Sequence, residues 1–483
     1  MPGWLRRRTS PIRNVGIIPA DVIVYRDGGD AVAVDGKTKE VIARSTDHAE
    51  VIQTAIANGN HIYIVGGTYE IGTSITVKNN VEIVGEYGST VLKMADGANL
   101  IFGIFKIYYE KENVRISGLV LDGNREHQNS KSYCIAIRRS SRIIIENNII
   151  KNAYTAGIGL YTGSGETKNN KIIIRNNVFE NNKFDIYDNT YGSEDVQVVN
   201  NIFIEAEDHV IRVLNSNRWI VGKNKFILKN NGVAFVTSGA MNQIIGNTFK
   251  YVMNPPTTVY AILFGAETSA DLYTEKFVIS NNVIDATDIT GNIEAIYLHG
   301  YDGQPTVRDG VIEGNVIVNV KYGVIATYPS HVIIVNNVIK GCDTGIRLVS
   351  CSYNKAFNNI FVNCGTGISE ESAADHNEIK LNYIINSTTP ITKVGANTIV
   401  TKNIGYPTEG SSVATFSGDG TTTQFKVEHG LVSAPSKIIV TPISADAKDF
   451  SYATADDTYI YFNFSTAPPS GTDNVKLSWY AEV

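Results

Sequence analysis

An asparagine-led motif returns along most of this 483-residue chain. Most of its steps are 22 to 24 residues long, as between Asn177, Asn201 and Asn224. A short apolar stretch follows each asparagine, for example Val178-Phe179 after Asn177. A fixed period of this length is typical of a solenoid, and strand-like repeat units favour a parallel β-helix. The period therefore predicts a chain of stacked coils, and we expect the apolar residues to fill its bore.

Asparagine suits such a repeat for two physical reasons. It tolerates the left-handed backbone conformation that a tight coil corner requires. Its amide can also hydrogen-bond the same residue on the next coil, which gives a ladder along the solenoid. We therefore interpret the repeated asparagines as structural and assign no chemistry to them.

The chain divides into three predicted parts. Residues 1–45 form a leader, and residues 46–405 form the solenoid with about 13 coils. The solenoid begins with an amphipathic helix over Asp47–Ala57, capped by Thr46 or Asp47, which covers the first coil. After residue 410 the asparagine period ends, and alternating strands in 411–483 predict a small antiparallel β-sandwich.

Composition excludes several classes of protein. A net charge of −6 and a pI near 5.8 argue against a nucleic-acid partner. The sequence has no apolar run long enough to span a membrane, and residues 1–8 lack the apolar core of a signal peptide. Cys342 and Cys364 lie one coil apart, which predicts buried thiols and leaves a disulfide open. No cysteine and histidine spacing fits zinc, so no metal or other cofactor is expected.

Several segments resemble the pectin-lyase-like superfamily of right-handed parallel β-helices. These are the cap helix, Gly67-Thr68-Tyr69, Leu121-Asp122-Gly123-Asn124 and the Asn-Asn coils. The leader around Val24–Gly28 and the tail around Thr415–Thr422 resemble segments of phage tail proteins, so that the whole resembles a bacteriophage tailspike. The resemblance implies an all-β, right-handed solenoid and a homotrimer in the virion tail, made in the host cytoplasm. It also implies binding, and often cleavage, of a bacterial surface polysaccharide, with other tail proteins contacted through the leader.

Catalytic residues differ among tailspikes, so the site must come from the residues themselves. Polar side chains concentrate in two neighbouring coils. We interpret six of them as catalytic candidates: Asp185, Asp188, Glu207, Asp208, His209 and Arg212. The coil alignment places Asp185 against Val210 and turns Asp188 inward. Carboxylates on adjacent coils would lie about 5 Å apart, near the separation found in retaining glycosidases, which favours hydrolysis.

Three alternatives remain open at this cluster. The charges could form a turn network that only holds two coils together. The same acids, Asp185, Asp188, Glu207 and Asp208, could hold calcium beside Arg212 in a polysaccharide lyase. The protein could also bind its receptor without cutting it. A second polar segment, Asp122–His127, is interpreted as a coil corner that opens into a loop.

Six aromatic and polar residues are the predicted substrate contacts. They are Tyr161, Tyr187, Glu294, Tyr297, His299 and Tyr301. Two insertions, at 252–275 and 286–308, would wall a groove near the last four. The outward row is predicted to run through Gly159, Tyr187, Arg212, Ala234, Leu263, Tyr297, Ile325 and Arg347. Its apolar members favour an oligomer that covers it.

Overall fold

The computed structural model describes residues 19–188, 191–228, 233–255, 257–265, 273–289, 291–300 and 306–483. They divide into two compact units, which we describe separately. The first unit is Met1–Leu263 with Asp288–Thr290, and the second is Phe264–Thr287 with Gly291–Val483. Both contain coils of a right-handed parallel β-helix, so the predicted all-β fold is confirmed.

The predicted cap helix is present and spans His48–Asn58. Asp47 is its N-cap, and the side chain of this residue accepts hydrogen bonds from the backbone N–H groups of Ala49 and Glu50. The apolar face that packs onto the first coils is buried, including Val51 and Ile56.

Three parallel sheets form the walls of the solenoid in the first unit. Sheet 1 comprises Val22–Asp27, Asp30–Asp35, Val41–Ser45, His61–Ile64, Val81–Gly85, Glu112–Ser117, Ser141–Glu146, Asn170–Arg175, Glu194–Val199, Ile220–Gly222 and Gln243–Ile245. Sheet 2 comprises Gly67–Ile71, Thr90–Met94, Val120–Asp122, Ile149–Lys151, Val178–Glu180, Ile202–Ile204, Lys225–Leu228 and Thr248–Tyr251. Sheet 3 comprises Tyr133–Arg138, Ala156–Tyr161, Phe184–Asp188, His209–Val213 and Val233–Thr237. The first three strands of sheet 1 are antiparallel to one another, and Val22–Asp27 also pairs in parallel with His61–Ile64.

The same three walls recur in the second unit. Sheet 1 comprises Val278–Ser280, Val311–Glu313, Ile333–Val335, Lys355–Phe357, Glu378–Lys380 and Ile399–Thr401. Sheet 2 comprises Val283–Asp285, Val316–Val318, Val338–Lys340, Ile360–Val362 and Tyr383–Ile385. Sheet 3 comprises Ile293–His299, Tyr322–Thr327, Thr344–Val349, Thr366–Glu371 and Thr389–Thr392, and Val259–Gly265 crosses the boundary between the units. Short additional strands are Ile75–Thr76, Phe105–Tyr108, Gly239–Ala240, Thr274–Glu275 and Val307–Arg308. Sheet 2 has 13 strands among the described residues, which agrees with the predicted number of coils.

The asparagine ladder exists, and its two physical roles fall on two adjacent residues. Asn177 Nδ2 donates to Asn201 Oδ1 at 3.1 Å, and Asn201 Nδ2 donates to Asn224 Oδ1 at 3.1 Å. The residue just before each ladder asparagine takes the left-handed conformation, with φ of 55° at Asn176 and 57° at Asn200. In the second unit Asn337, Asn359 and Asn382 continue the pattern. The buried amide therefore joins the coils while its neighbour makes the corner.

Phenylalanine rings stack along the bore behind the ladder. Phe179, Phe203, Phe226 and Phe249 are fully buried, and their successive ring centroids lie 4.9, 4.9 and 4.5 Å apart. Val178 is partly exposed and does not fill the bore, which corrects the expectation that both residues after Asn177 point inward. The alternation of a strand explains this, because successive side chains face opposite sides.

The C-terminal residues form two antiparallel sheets around one core. Sheet 4 comprises Glu409–Gly418, Gly471–Glu482 and Lys437–Pro442, and sheet 5 comprises Gln424–Glu428, Tyr459–Phe464 and Phe450–Ala455. Phe462, Leu477 and Trp479 lie in the shared core. The predicted sandwich is therefore present. The cap helix and two short 3-10 turns, Arg125–His127 and Ala445–Ala447, are the helical elements described, and none is a long apolar helix able to cross a membrane.

Two finer expectations have clear outcomes. All four cysteines are buried free thiols, so Cys342 and Cys364 do not form a disulfide. The alignment that put Ala234 opposite Arg212 is wrong, because Val236 occupies that register. From Phe203 to Ile211 the chain covers 8 residues, but from their partners Phe226 to Phe235 it covers 9. The turn between sheets 2 and 3 therefore differs in length between these two coils, although the steps from Asn201 to Asn224 and from Asn224 to Asn247 are both 23 residues.

Candidate functional site

Two neighbouring strands of sheet 3 in the first unit carry most of the predicted site. Ile186 pairs with Ile211, and Tyr187 pairs with Arg212. This register agrees with the one expected from the coil alignment. Alternation then turns Ile186 and Ile211 into the bore and leaves Tyr187 and Arg212 on the outer face.

The carboxyl group of Asp185 lies inside the solenoid and has no exposed area. Its Oδ1 atom accepts a hydrogen bond from Asn182 Nδ2 at 2.8 Å, and Oδ2 is buried without a donor among the described residues. Burial raises the pKa of Asp185 well above its usual range, because the charged form is desolvated. An enclosed carboxyl of this kind does not contact a glycan on the outer face.

Asp188 is buried in the same way, as its inward register predicted. Ser216 Oγ on the following coil donates to Asp188 Oδ2 at 2.7 Å. Both Asp185 and Asp188 therefore bind polar groups within the coils, and neither presents an oxygen to the surface. The partners in these two bonds, Asn182 and Ser216, are neutral side chains, and only Ser216 lies on another coil, so these contacts are structural hydrogen bonds rather than a network of charges.

Asp208 and His209 are partly exposed where the next strand of sheet 3 begins. Their side chains are 41% and 20% exposed, and His209 Nδ1 lies 2.5 Å from Asp208 Oδ1. The hydrogen bond to His209 lowers the pKa of Asp208. The imidazole also stacks on Phe184, with ring centroids 5.8 Å apart. An ionised carboxylate and an aromatic ring thus fix the orientation of His209.

Arg212 and Tyr187 form the second exposed pair of this face. The guanidinium carbon lies 5.5 Å from the centroid of the Tyr187 ring, and Arg212 Nη1 donates to the Tyr187 hydroxyl at 3.3 Å. A guanidinium stacked on an aromatic ring presents a planar fork of N–H groups whose geometry matches a carboxylate. The pair therefore combines a cation with an apolar ring surface.

Further aromatic rings extend this face toward the N-terminal coils. Tyr161 packs edge-on against Tyr133 with centroids 5.3 Å apart, and burial raises the pKa of the Tyr161 hydroxyl. Gly159 makes the packing possible, since a Cβ there would lie 2.7 Å from the Tyr161 ring. Tyr108, Phe184 and Tyr187 belong to the same cluster. We call Tyr161, Phe184, Tyr187, His209 and Arg212 the sheet 3 face.

Glu207, next to Asp208, contacts the segment Asp122–His127, which the sequence predicts to be a coil corner that opens into a loop. Its carboxylate forms an ion pair with Arg125, which lies in the 3-10 turn Arg125–His127. A cavity of about 310 Å³ adjoins this turn, and its lining includes Arg125, His127 and Asn152. Arg125 precedes the first asparagine motif, at Asn147, so the asparagine period gives no signal for this loop.

The remaining predicted contacts belong to the second unit. Tyr297 Oη lies 2.8 Å from His299 Nδ1, and desolvation lowers the pKa of His299. Desolvation also raises the pKa of Glu294, which is only partly buried. Arg347 forms a two-point ion pair with Glu371, at 2.9 and 2.7 Å. Tyr301 lies outside the described residues.

Arg347, Tyr322 and Phe184 were not assigned to a site from the sequence. The guanidinium of Arg347 lies 5.2 Å from the centroid of the Tyr322 ring. The strand of Tyr322 lies between the strands of Tyr297 and Arg347. The coil alignment predicted that Arg347 faces outward, but it did not predict that Tyr322 would be its partner. Side-chain pairing across coils depends on rotamers, which the period does not specify.

The described residues contain no group of three or more His, Cys, Asp or Glu side chains that could hold a metal ion. The four acids considered as calcium ligands are divided between the bore and the surface, so they do not form one donor set.

Comparison with known proteins supports the fold. A family model described as periplasmic copper-binding protein (NosD) matches residues 260–412, less than half of the chain. Among the described residues of 260–412, no group of three or more His, Cys, Asp or Glu side chains could hold a copper ion. No curated protein sequence matches the chain.

Solved structures give broader likenesses. The N-terminal fragment of gene product 12 of bacteriophage Phi29 has a TM-score of 0.61 and 16% identity, covering 75% of this chain and 69% of that one. A double mutant of the tailspike of E. coli bacteriophage HK620, in complex with a pentasaccharide, has a TM-score of 0.50 and 12% identity over 90% of both chains. The A-module of the Azotobacter vinelandii mannuronan C-5 epimerase AlgE6 has a TM-score of 0.50 and 18% identity, covering 74% of this chain and 95% of that one. At these identities the likeness shows a shared tailspike-like β-helix fold.

Proposed function

We propose that this chain is a tailspike-type protein that binds an acidic bacterial surface polysaccharide on the sheet 3 face. The observation that carries the proposal is a pair of partly exposed ring contacts on the outer face, with Arg212 over Tyr187 and His209 stacked on Phe184. Sugar rings have apolar C–H faces that pack on aromatic rings, and Arg212 suits the carboxylate of a uronate. A tailspike of the same fold is known in complex with a pentasaccharide.

The same face can act chemically on a bound uronate by β-elimination. Arg212 pairs with the sugar carboxylate and stabilises the negative charge that develops when C5 loses its proton. His209, oriented by Asp208, takes that proton as the general base. The electron pair forms a C4–C5 double bond, and the C4–O bond to the next sugar breaks. The Tyr187 hydroxyl gives its proton to the departing oxygen.

Hydrolysis is the second candidate, and it would use a different carboxyl from those first expected. A glycosidase needs one protonated and one ionised carboxyl facing the same bond. In the first unit the carboxyl with a raised pKa, Asp185, is enclosed, while Asp208 has a lowered pKa. Glu294 in the second unit combines a raised pKa with partial exposure, which is the property that a general acid requires. The Tyr297 and His299 rings nearby would contact the sugar.

The remaining parts of the proposal follow from the tailspike resemblance. The chain would form a homotrimer in the virion tail, be made in the host cytoplasm, and contact other tail proteins through residues 1–45. Size measurement by light scattering on the purified full chain tests the trimer separately from any activity. A monomer at micromolar concentration would remove this part of the proposal.

Product analysis tests the reaction. The full chain is incubated with uronate-containing polysaccharides such as alginate and polygalacturonate, and with purified bacterial capsular polysaccharides. Elimination gives an unsaturated product that absorbs ultraviolet light, while hydrolysis gives new reducing ends without that absorbance. Elimination that disappears in Arg212→Ala but persists in Glu294→Gln supports the sheet 3 face. The opposite pattern with reducing ends supports hydrolysis at Glu294, and binding without shortening leaves a receptor-binding protein.

A further inference from the structure

The outer face of sheet 5 in the C-terminal sandwich carries an ordered group of exposed tyrosines. Strand alternation turns Ile460, Phe462 and Phe464 into the core and leaves Tyr459, Tyr461 and Asn463 outside. Tyr452 on the neighbouring strand is 58% exposed. We call Tyr452, Tyr459, Tyr461 and Asn463, with Gln424, Lys426 and Thr454 beside them, the tyrosine platform.

The strand register arranges the tyrosine platform as a grid. Asn463 stands between Gln424 and Tyr452, and Tyr461 stands between Lys426 and Thr454. Neighbouring strands are about 4.8 Å apart and alternate residues about 7 Å apart, so the grid spans about 10 by 14 Å. This area has room for a short oligosaccharide lying flat across three strands.

Polar contacts hold the central side chains of the platform in place. The Tyr461 hydroxyl donates to Asp456 Oδ2 at 2.6 Å, and this bond lowers the pKa of Asp456 to about 2. Lys426 Nζ lies 4.0 Å from the centroid of the Tyr459 ring. Gln424 Nε2 donates to Asn463 Oδ1 at 2.9 Å. Side chains ordered before binding lose less entropy when a ligand arrives.

We propose that the tyrosine platform is a second glycan-binding site, specific for an uncharged part of a polysaccharide. Aromatic rings with amide and hydroxyl groups between them match the alternating C–H and O–H surfaces of a sugar. The charges favour a neutral ligand, because Lys426 is followed on the same strand face by Glu428, and the ionised Asp456 accepts the hydrogen bond from Tyr461. The sheet 3 face, with Arg212 and His209, has the opposite character.

The two faces of the sandwich help to exclude a protein as the occupant of the platform. The outer face of sheet 4 includes two aliphatic side chains, Ile439 and Val413, each 51% exposed, beside Tyr480. The platform also carries tyrosines, but amide, hydroxyl and charged groups surround them and it has no aliphatic side chain. Protein interfaces bury an apolar centre, so sheet 4 is the better surface for a protein partner.

Binding of the full chain to immobilised neutral polysaccharides tests the proposal. The probes are a dextran, a mannan and a galactan, with alginate as the acidic reference. We expect measurable binding to at least one neutral probe, and at least a tenfold weaker affinity for Tyr452→Ala combined with Tyr459→Ala, since aromatic anchors dominate such contacts. Tyr480→Ala on sheet 4 is the matched control and should bind like the wild type.

Arg212→Ala separates this proposal from the proposed function. It should keep neutral binding and lose alginate binding, whereas the double tyrosine variant should do the reverse. Circular dichroism of each variant checks that the sandwich is folded. No binding to any neutral probe, equal binding by the double variant, or a change of oligomeric state in place of a change of affinity would each overturn the platform as a glycan site.

Discussion

Asn201 and Arg212 lie on the same coil, yet their surroundings follow opposite rules. Asn201 is buried, and the same residue type occupies its position on both neighbouring coils, at Asn177 and Asn224. Arg212 lies on the outer face, where its neighbour on the preceding coil is Tyr187. Inside the solenoid the same residue recurs on each coil because it hydrogen-bonds to its counterpart on the next coil. On the outer face the residue type changes from coil to coil, which allows these positions to contact a ligand. The asparagine period thus identifies the structural residues of the solenoid. The candidate functional side chains lie on the outer face, at positions that do not follow this period.

The largest expected effect is loss of catalysis at the sheet 3 face. His209→Gln should lower the rate of polysaccharide cleavage by about 10²- to 10⁴-fold, as expected for a general base. Because His209 is partly exposed, the free energy of unfolding should change little. Initial rates of formation of unsaturated product measure the effect. A variant that keeps its full rate would show that the base lies elsewhere.

The second largest effect is expected when the buried asparagine ladder of the same coil is interrupted. Asn201→Ala removes the acceptor for the Asn177 backbone N–H and the donor to Ile174 O, and leaves buried polar groups unpaired. We expect a loss of about 2–4 kcal/mol in the free energy of unfolding. Urea unfolding followed by circular dichroism measures it. Asn200→Gly is the matched control and should be nearly neutral, because glycine accepts the φ of 57° there. Equal losses in both variants would contradict the ladder account.

The third effect concerns the enclosed acid. The pKa of Asp185 is raised in the folded protein, so its contribution to stability is fully present below the unfolded pKa and decreases as pH rises toward the folded pKa. Asp185→Asn should flatten the fall in unfolding free energy from pH 4 to pH 7, by at most about 1.4 kcal/mol per pH unit. Urea unfolding at both pH values measures the slope. Asp343→Asn at an exposed position is the control, and an unchanged slope for Asp185→Asn would contradict its enclosure.

The smallest effect is expected for an outer ion pair. Arg218 is 44% exposed, and its guanidinium bonds Asp195 and Glu194. Because exposed ion pairs contribute little, Arg218→Ala should change the free energy of unfolding by less than about 1 kcal/mol and leave cleavage unchanged. Thermal unfolding and the cleavage assay check both expectations. A loss as large as that of Asn201→Ala would remove the contrast between inside and outside.

The fold could be predicted because its signals are local and repeated. Each Asn motif specifies one left-handed corner and one asparagine of the ladder. Eleven motifs therefore indicate the same coil structure independently. The cap helix could also be predicted, because the N-cap residue Asp47 and the apolar face of the helix are both local sequence features. The strand after Arg212 was misaligned by two residues, because the turn between sheets 2 and 3 varies independently of the period.

The site could be predicted only in part. The register brought Tyr187 and Arg212 together as expected, since both follow from coil alignment. Whether Asp185 faces the surface depends on a partner across the corner, Asn182, and the sequence does not specify which side chain takes that role. The pairing of Glu207 with Arg125 required the path of an inserted loop, which has no repeat to fix it.

The most direct test of the sheet 3 face compares two arginines of the same unit. Arg212→Ala and Arg218→Ala are assayed on the same acidic polysaccharide for binding and for unsaturated product. The account predicts that Arg212→Ala loses both while Arg218→Ala keeps both, with the two proteins equally stable. Equal activity in the two variants, or equal loss in both, would contradict the assignment of the polysaccharide to the sheet 3 face.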